Sequence, residues 1–181
     1  MKAVRGLTKN LFFTGIRHVG KTTLLWRAVG HSKVVPGGFV VERCVGPSGE
    51  RAFRLRDLLT GQEAIVARET PLGWQAVVDG FEGVGVSALT SGLSSARLII
   101  MDELGNFEVG AHMFQKAVHW ALDSKVPVLG VIKPDSNPFL NSVRSRCDVE
   151  VVAVTVSNRD LLLEDVKGWL ARNVQVGLKD N

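Results

Sequence analysis

At 181 residues, with 45% hydrophobic and 22% charged side chains, the chain suits one packed domain over 1–181 and excludes a disordered or disulfide-stapled peptide. A net charge of +4, spread along the chain, suits an anionic ligand; with no basic run, it leaves nucleic-acid binding open but unsupported. Cys44 and Cys147 stand far apart with no C-x-x-C partner, which predicts free buried thiols, and no segment has signal-peptide or membrane-span length, so a cytoplasmic protein is expected.

Leu11, Phe12 and Phe13 predict a short buried strand. It leads into Gly15-Ile16-Arg17-His18-Val19-Gly20-Lys21-Thr22, which fits the phosphate-loop pattern G-x-x-x-x-G-K-[ST] without mismatch. The glycines allow a tight turn that aims successive N–H groups at phosphate oxygens. Lys21 reaches the β- and γ-phosphates, and the Thr22 hydroxyl ligates Mg²⁺. Leu24, Leu25 and Ala28 follow at helical spacing, so a helix N-terminus adds its free N–H groups and the positive end of its dipole. Gly15 through Thr23 is therefore the expected nucleotide-binding segment.

Pro36-Gly37-Gly38 breaks the chain ahead of a strand over 39–45. Gly46-Pro47-Ser48-Gly49 turns it, and 51–58 returns as a half-buried strand, so the pair predicts an antiparallel hairpin. Strands over 63–68 and 74–78 follow. Glycines at 80, 83, 85 and 92 point to a loop over 79–96, with a short helix around 84–95 as the alternative. Residues 96–103 form an apolar run ending in two carboxylates, and 109–123 carries a helical stripe of Phe114, Ala117, Val118, Ala121 and Leu122. A strand over 126–132, a short helix over 138–147 opening on Pro138, a strand over 149–156 and a last helix capped by Asn158 complete the chain. The alternation predicts an α/β three-layer sandwich of the P-loop NTPase type. Its sheet is mostly parallel and flanked by helices, with an antiparallel hairpin insertion after the first helix.

In such a sheet, ligands gather at the carboxyl ends of the strands, so Asp102-Glu103 converges with the phosphate loop. The pair has the form of a Walker B element. Asp102 is expected to hold Mg²⁺ through a water, and Glu103 to orient or deprotonate the water that attacks the γ-phosphate. Lys21 and Glu103 are the expected catalytic residues, with Thr22 and Asp102 on the metal. Arg144, Arg146 and Arg159 are candidates for charge stabilisation, each weighed against an ordinary surface role. Arg159 leans toward the base side or a pair with Asp160. His112 and His119 lie seven residues apart with no third ligand, so a zinc site is not expected. Phe39, Phe53, Trp74 and Phe81 read as core rather than base-stacking residues, and Trp26, Trp120 and Trp169 as packing against the sheet. The arginines of residues 51–58 read as a solvated face rather than a nucleic-acid surface.

The motifs FFTGIRHVGKTTL, GGFVVERCV before a Gly turn, LIIMDELGNFE, VPVLGVI and VTVSNRDLL, in that order, resemble the THEP-type nucleoside-triphosphatase family over almost the whole chain. The resemblance implies a P-loop fold that hydrolyses ATP, GTP and other nucleoside triphosphates to diphosphates. It implies phosphate and Mg²⁺ binding by Gly15, Gly20, Lys21 and Thr22. Residues 102–108 match its DELG-x-x-E pattern, implicating Asp102 and Glu103 in metal binding and water activation, with Glu108 at the acidic position. Two departures stand out: Ile16-Arg17-His18 replaces a Pro-Pro-Gly-like stretch, and Asn106 stands where lysine is frequent. A histidine there still tolerates left-handed backbone better than most residues. The expected reaction is Mg²⁺-dependent hydrolysis with broad base specificity. The alternatives are a P-loop kinase of nucleotides or small molecules, and a slow switch acting with a protein or RNA partner. Oligomeric state is left open.

Overall fold

The computed structural model describes residues 8–174. Eight strands, β1 (Asn10–Thr14), β2 (Gly37–Val45), β3 (Arg51–Asp57), β4 (Glu63–Thr70), β5 (Gly73–Ala76), β6 (Ile99–Leu104), β7 (Val128–Ile132) and β8 (Val149–Ala153), form one sheet in the order β5-β4-β3-β2-β6-β7-β1-β8. From β2 to β8 the neighbours run parallel; β3, β4 and β5 extend the sheet antiparallel. This is the expected α/β architecture, with the insertion in the expected place.

Strand side chains alternate between two cores, which is why the central strands read as continuous apolar runs. Leu11, Phe13, Ile100, Leu129 and Val131 face α1 (Lys21–Ser32) and α6 (Arg159–Asn173), meeting Leu24, Leu25, Ala28, Val166 and Trp169. Phe12, Phe39, Met101 and Val128 face the opposite layer of α3 (Val86–Ser95) and α4 (His112–Asp123), meeting Leu89, Phe114 and Val118. Each such fully buried Leu, Ile, Val or Phe contributes roughly 1.5–3 kcal/mol by leaving water. The Trp169 indole is fully buried and donates to the Thr8 carbonyl at 2.8 Å, so its one polar atom is satisfied.

The loop expected over 79–96 is instead helical, in line with the alternative helix around 84–95: α2 (Val78–Gly80), a π-turn (Phe81–Gly85) and α3 follow without a break. Three of its four glycines, Gly80, Gly85 and Gly92, mark close approach rather than a turn, while Gly83 lies in open space. A Cβ on Gly80 would lie 2.3 Å from the Ile65 carbonyl oxygen, and one on Gly85 2.9 Å from the Phe114 ring. The helix expected over 109–123 is a 3₁₀ turn (Phe107–Gly110) followed by α4. The strand expected over 149–156 stops at Ala153, and α5 (Pro138–Arg144) is shorter than expected. Asn137 caps α5, its Oδ1 accepting from the Leu140 N–H at 2.8 Å. Asn158 stands at the N-cap position of α6, as expected, but its side chain makes no capping hydrogen bond. Its amide is turned back, accepting from the Thr155 N–H at 2.7 Å and donating to the Ala153 carbonyl at 2.9 Å. Trp120, expected against the sheet, is 54% exposed on the outer side of α4. The two thiols are free, but Cys147 is exposed and Cys44 half-buried rather than buried.

Candidate nucleotide site

Four parallel strands deliver their carboxyl ends to one edge: β1 opens into the phosphate loop, β6 into Asp102-Glu103, β7 into Lys133-Pro134-Asp135, and β8 into residues 154–158. The loop's path depends on left-handed backbone. Gly15 has φ 137° and Gly20 φ 100°, and a Cβ on Gly15 would lie 2.5 Å from the Val154 carbonyl oxygen. His18 holds φ 63°, a left-handed backbone that histidine tolerates better than most residues. Val19 is buried in the α1–α6 core, so it serves the loop through its backbone and as an anchor. Ile16, Arg17 and His18 are exposed. Lys21 donates from Nζ to the Gly15 and Ile16 carbonyls at 3.0 and 2.9 Å, folded over the loop.

Asp102 is 3% exposed, and its Oδ1 accepts from the Thr22 hydroxyl at 3.1 Å. Burial pushes its carboxyl up to about 6; the Thr22 bond opposes the rise, and the Glu103 charge adds to it. Its Oδ2 is buried without a hydrogen-bond partner. An orphaned carboxylate oxygen beside a threonine hydroxyl at a helix N-terminus suits Mg²⁺, which keeps most of its ligands as water and phosphate. Among the described residues no cluster of three or more His, Cys, Asp or Glu side chains forms a metal cage. A cleft of ≈ 420 Å³ is lined by Arg17, Lys21, Thr22, Thr23, Asp102 and Glu103.

Glu103 is less buried than Asp102. It pairs with Lys133 (Nζ–Oε1 3.3 Å) and faces both that cleft and a second cavity of ≈ 380 Å³. Phe53, Trp74 and Phe107 wall the second cavity, and Gly15, Arg17, Lys21, Arg43 and Lys133 share it. Phe39 and Phe81 are core as expected, whereas Phe53 and Trp74 line this cavity. Glu108 is 3% exposed and accepts from the Gly105 N–H at 3.0 Å, tying down the turn after β6. Burial raises its carboxyl to about 7. Asn106 bridges to Asp135 and Asn137 at 2.9 Å each, joining the loops after β6 and β7.

The sequence-derived arginines fare unequally. Arg144 is bound to the Asp135 and Lys133 carbonyls, and Arg146 to Asp123 and Asp148; neither lines the two cavities around Glu103. Arg159 lies beside Gly20 and lines a hollow with Thr23, Arg27 and Asp160, where Asp160 pairs with Arg27 rather than Arg159. Lys133, Phe107 and Arg43 were not singled out from the sequence. Lys133 carries a readable signal, a cation one residue past the end of a parallel strand. Arg43 and Phe107 reach the cavity only through the hairpin's register and the 3₁₀ turn.

A phosphate loop and a carboxylate pair on one edge of a helix-flanked sheet define the class of P-loop nucleoside-triphosphatases. A family model described as NTPase matches residues 10–167. Nucleoside-triphosphatase THEP1 of Thermofilum pendens is 37% identical over 165 residues, covering 85% of this chain and 91% of the relative. The protein of the same name from Thermotoga petrophila is 33% identical, over 86% and 89% of the two chains. Among solved structures, THEP1 of Aquifex aeolicus superposes with a TM-score of 0.74 at 25% identity, over 90% of this chain and 99% of the other. A human cancer-related nucleoside triphosphatase gives 0.71 at 27% identity, over 92% and 99%. The chain belongs to this nucleoside-triphosphatase family.

Proposed function

We propose that this nucleoside-triphosphatase works with Mg²⁺ held by Thr22 and, through water, by Asp102, while Lys21 holds the β- and γ-phosphates and Glu103 orients the attacking water. The loop amides of residues 15–23 cradle the phosphates, and the whole chain acts as one domain. Mg²⁺ held by Thr22 and Asp102 would supply positive charge against the triphosphate. The observation that carries the reading is the division of labour between two adjacent carboxylates. Asp102 is buried against Thr22 on α1, and Glu103 is half-exposed to the cavities in front of Lys21. A buried carboxylate fits a metal; a reachable one in contact with a lysine fits a water. We read the hollow lined by Thr23, Arg27 and Arg159 as the base side, and broad base acceptance is part of the proposal. Of the described residues, no helix is long and apolar enough to cross a membrane.

Phosphate release from ATP, GTP, CTP and UTP with Mg²⁺ tests this, comparing wild type with Lys21→Ala and Glu103→Gln. Release without an added acceptor from all four, abolished in both variants while Glu103→Gln still binds nucleotide, is the expected result. Release dependent on a hydroxylated acceptor would give the site to a kinase. Nucleotide binding with turnover only upon adding a protein or RNA would give it to a switch.

A further inference from the structure

Arg43 lies three residues beyond Val40, the β2 residue paired with Asp102 of β6. Past that point β2 leaves the parallel sheet and runs on as the first arm of the hairpin with β3, carrying Arg43 in front of the strand ends. Its guanidinium carbon lies 5.4 Å from the centroid of Phe53 and 5.5 Å from that of Trp74. The same side chain lines the ≈ 380 Å³ cavity shared with Gly15, Arg17, Lys21 and Glu103. The neighbouring arginines of β3 all reach carboxylates: Arg51 pairs with Glu69, Arg54 with Glu63 at 2.9 Å and Arg56 with Glu42 at 3.8 Å. Among the described residues Arg43 reaches none and is held by ring faces alone. Stacking of this kind holds an exposed guanidinium far less strongly than a phosphate does in a water-poor cleft.

We propose that Arg43 is the catalytic arginine of this site, parked on Phe53 and Trp74 and swinging across the cavity to the γ-phosphate as the transition state forms. The proposal rests on the hydrolysis reading above. In that reaction the water oxygen bonds to Pγ, and the Pγ–O bond to the β-phosphate breaks. The diphosphate leaves with the electron pair, and Glu103 takes the water's proton. Arg43 exchanges no proton; its N–H groups meet the equatorial γ-oxygens, where charge accumulates. Arg144 and Arg146 are tied down elsewhere, and Lys133 is paired to Glu103. Arg17 is the competitor. It lies on the phosphate loop and lines both cavities, so it meets substrate and transition state alike. An arginine with a separate resting place is the one that can bind the transition state differentially.

Arg43→Ala, Arg43→Lys and Arg17→Ala separate these roles. Arg43→Ala is expected to slow phosphate release about 10²–10³-fold while the affinity for a non-hydrolysable ATP analogue changes less than about threefold. It should also lose the ADP–aluminium fluoride complex and recover part of its rate with millimolar guanidinium. Arg43→Lys should recover little, because lysine lacks the planar fork. In wild type, ADP–aluminium fluoride should shift tryptophan emission, a shift absent from Trp74→Phe. Unchanged release in Arg43→Ala overturns the proposal, as does an equal loss of analogue affinity, or the whole pattern appearing in Arg17→Ala instead. A wild type that binds nucleotide without releasing phosphate overturns the hydrolysis reading instead, which keeps the two failures apart.

Discussion

Glu108 shows how one residue couples the site to the fold. Its carboxyl is buried beneath the turn that follows the Asp102-Glu103 pair, where it accepts from the Gly105 N–H and from its own backbone N–H. Desolvation is the largest influence and raises the carboxyl from 4.5 to about 7. The folded protein therefore keeps a proton that the unfolded chain releases between those values. Stability from that proton is full below about 4.5 and is lost as pH rises through about 7. Above that range a buried charge destabilises the turn, by an amount on the order of 3 kcal/mol. Glu108→Gln keeps an oxygen for Gly105 and removes the charge, so it should be more stable than wild type at pH 8 and similar at pH 4.5. Urea unfolding at both pH values checks this. A constant offset between the two proteins would mean that Glu108 does not titrate as described.

At the scale of elements, β1, β6 and the phosphate loop were legible because their chemistry is local: apolar runs with defined ends, glycines at set spacing, carboxylates at a strand terminus. Residues 78–95 were not, since a glycine carries the same letter whether it opens a turn or admits a neighbour's backbone. The contact that distinguishes the two lies far along the chain. Gly38 makes the point in a strand. It has φ 93°, and a Cβ there would come within 2.1 Å of the Ile100 carbonyl oxygen on β6. Gly92 of α3 presses on the same two strands, its own would-be Cβ 3.0 Å from the Gly38 nitrogen. Gly38→Ala must therefore push β2 off β6, at the junction where the hairpin and Arg43 are set relative to Asp102. Backbone atoms cannot rotate aside, and the left-handed φ adds strain of its own. The variant is expected to lose about 3 kcal/mol or more from overpacking and strain together. Gly49→Ala, also at positive φ but in open space at the hairpin tip, should lose about 1–2 kcal/mol. Denaturant midpoints of the two variants test the difference, and equal losses would show that the β2–β6 contact yields.

For the whole molecule, the question is whether its +4 charge is displayed as a surface for polynucleotides. The antiparallel half of the sheet is the place to look, being rich in arginine and carrying Trp74. The three arginines of β3 are interleaved with carboxylates: Arg51 with Glu69, Arg54 with Glu42 and Glu63, Arg56 with Glu42. Such exposed pairs add little stability, but each leaves no net charge to displace counterions from a phosphate backbone. A strand binder needs a basic track with aromatic platforms spaced along it, and here the aromatics converge on one cavity of ≈ 380 Å³. Single-stranded RNA and duplex DNA at about 0.15 M salt should therefore change phosphate release by less than about twofold, and binding should be weak with a shallow salt dependence. Stimulation of tenfold or more by one of them would reverse the inference. It would make the slow switch the better description, with Arg43 and Trp74 serving as a stacking site for a base, and the cavity in front of Glu103 would be the sensor that connects strand binding to hydrolysis.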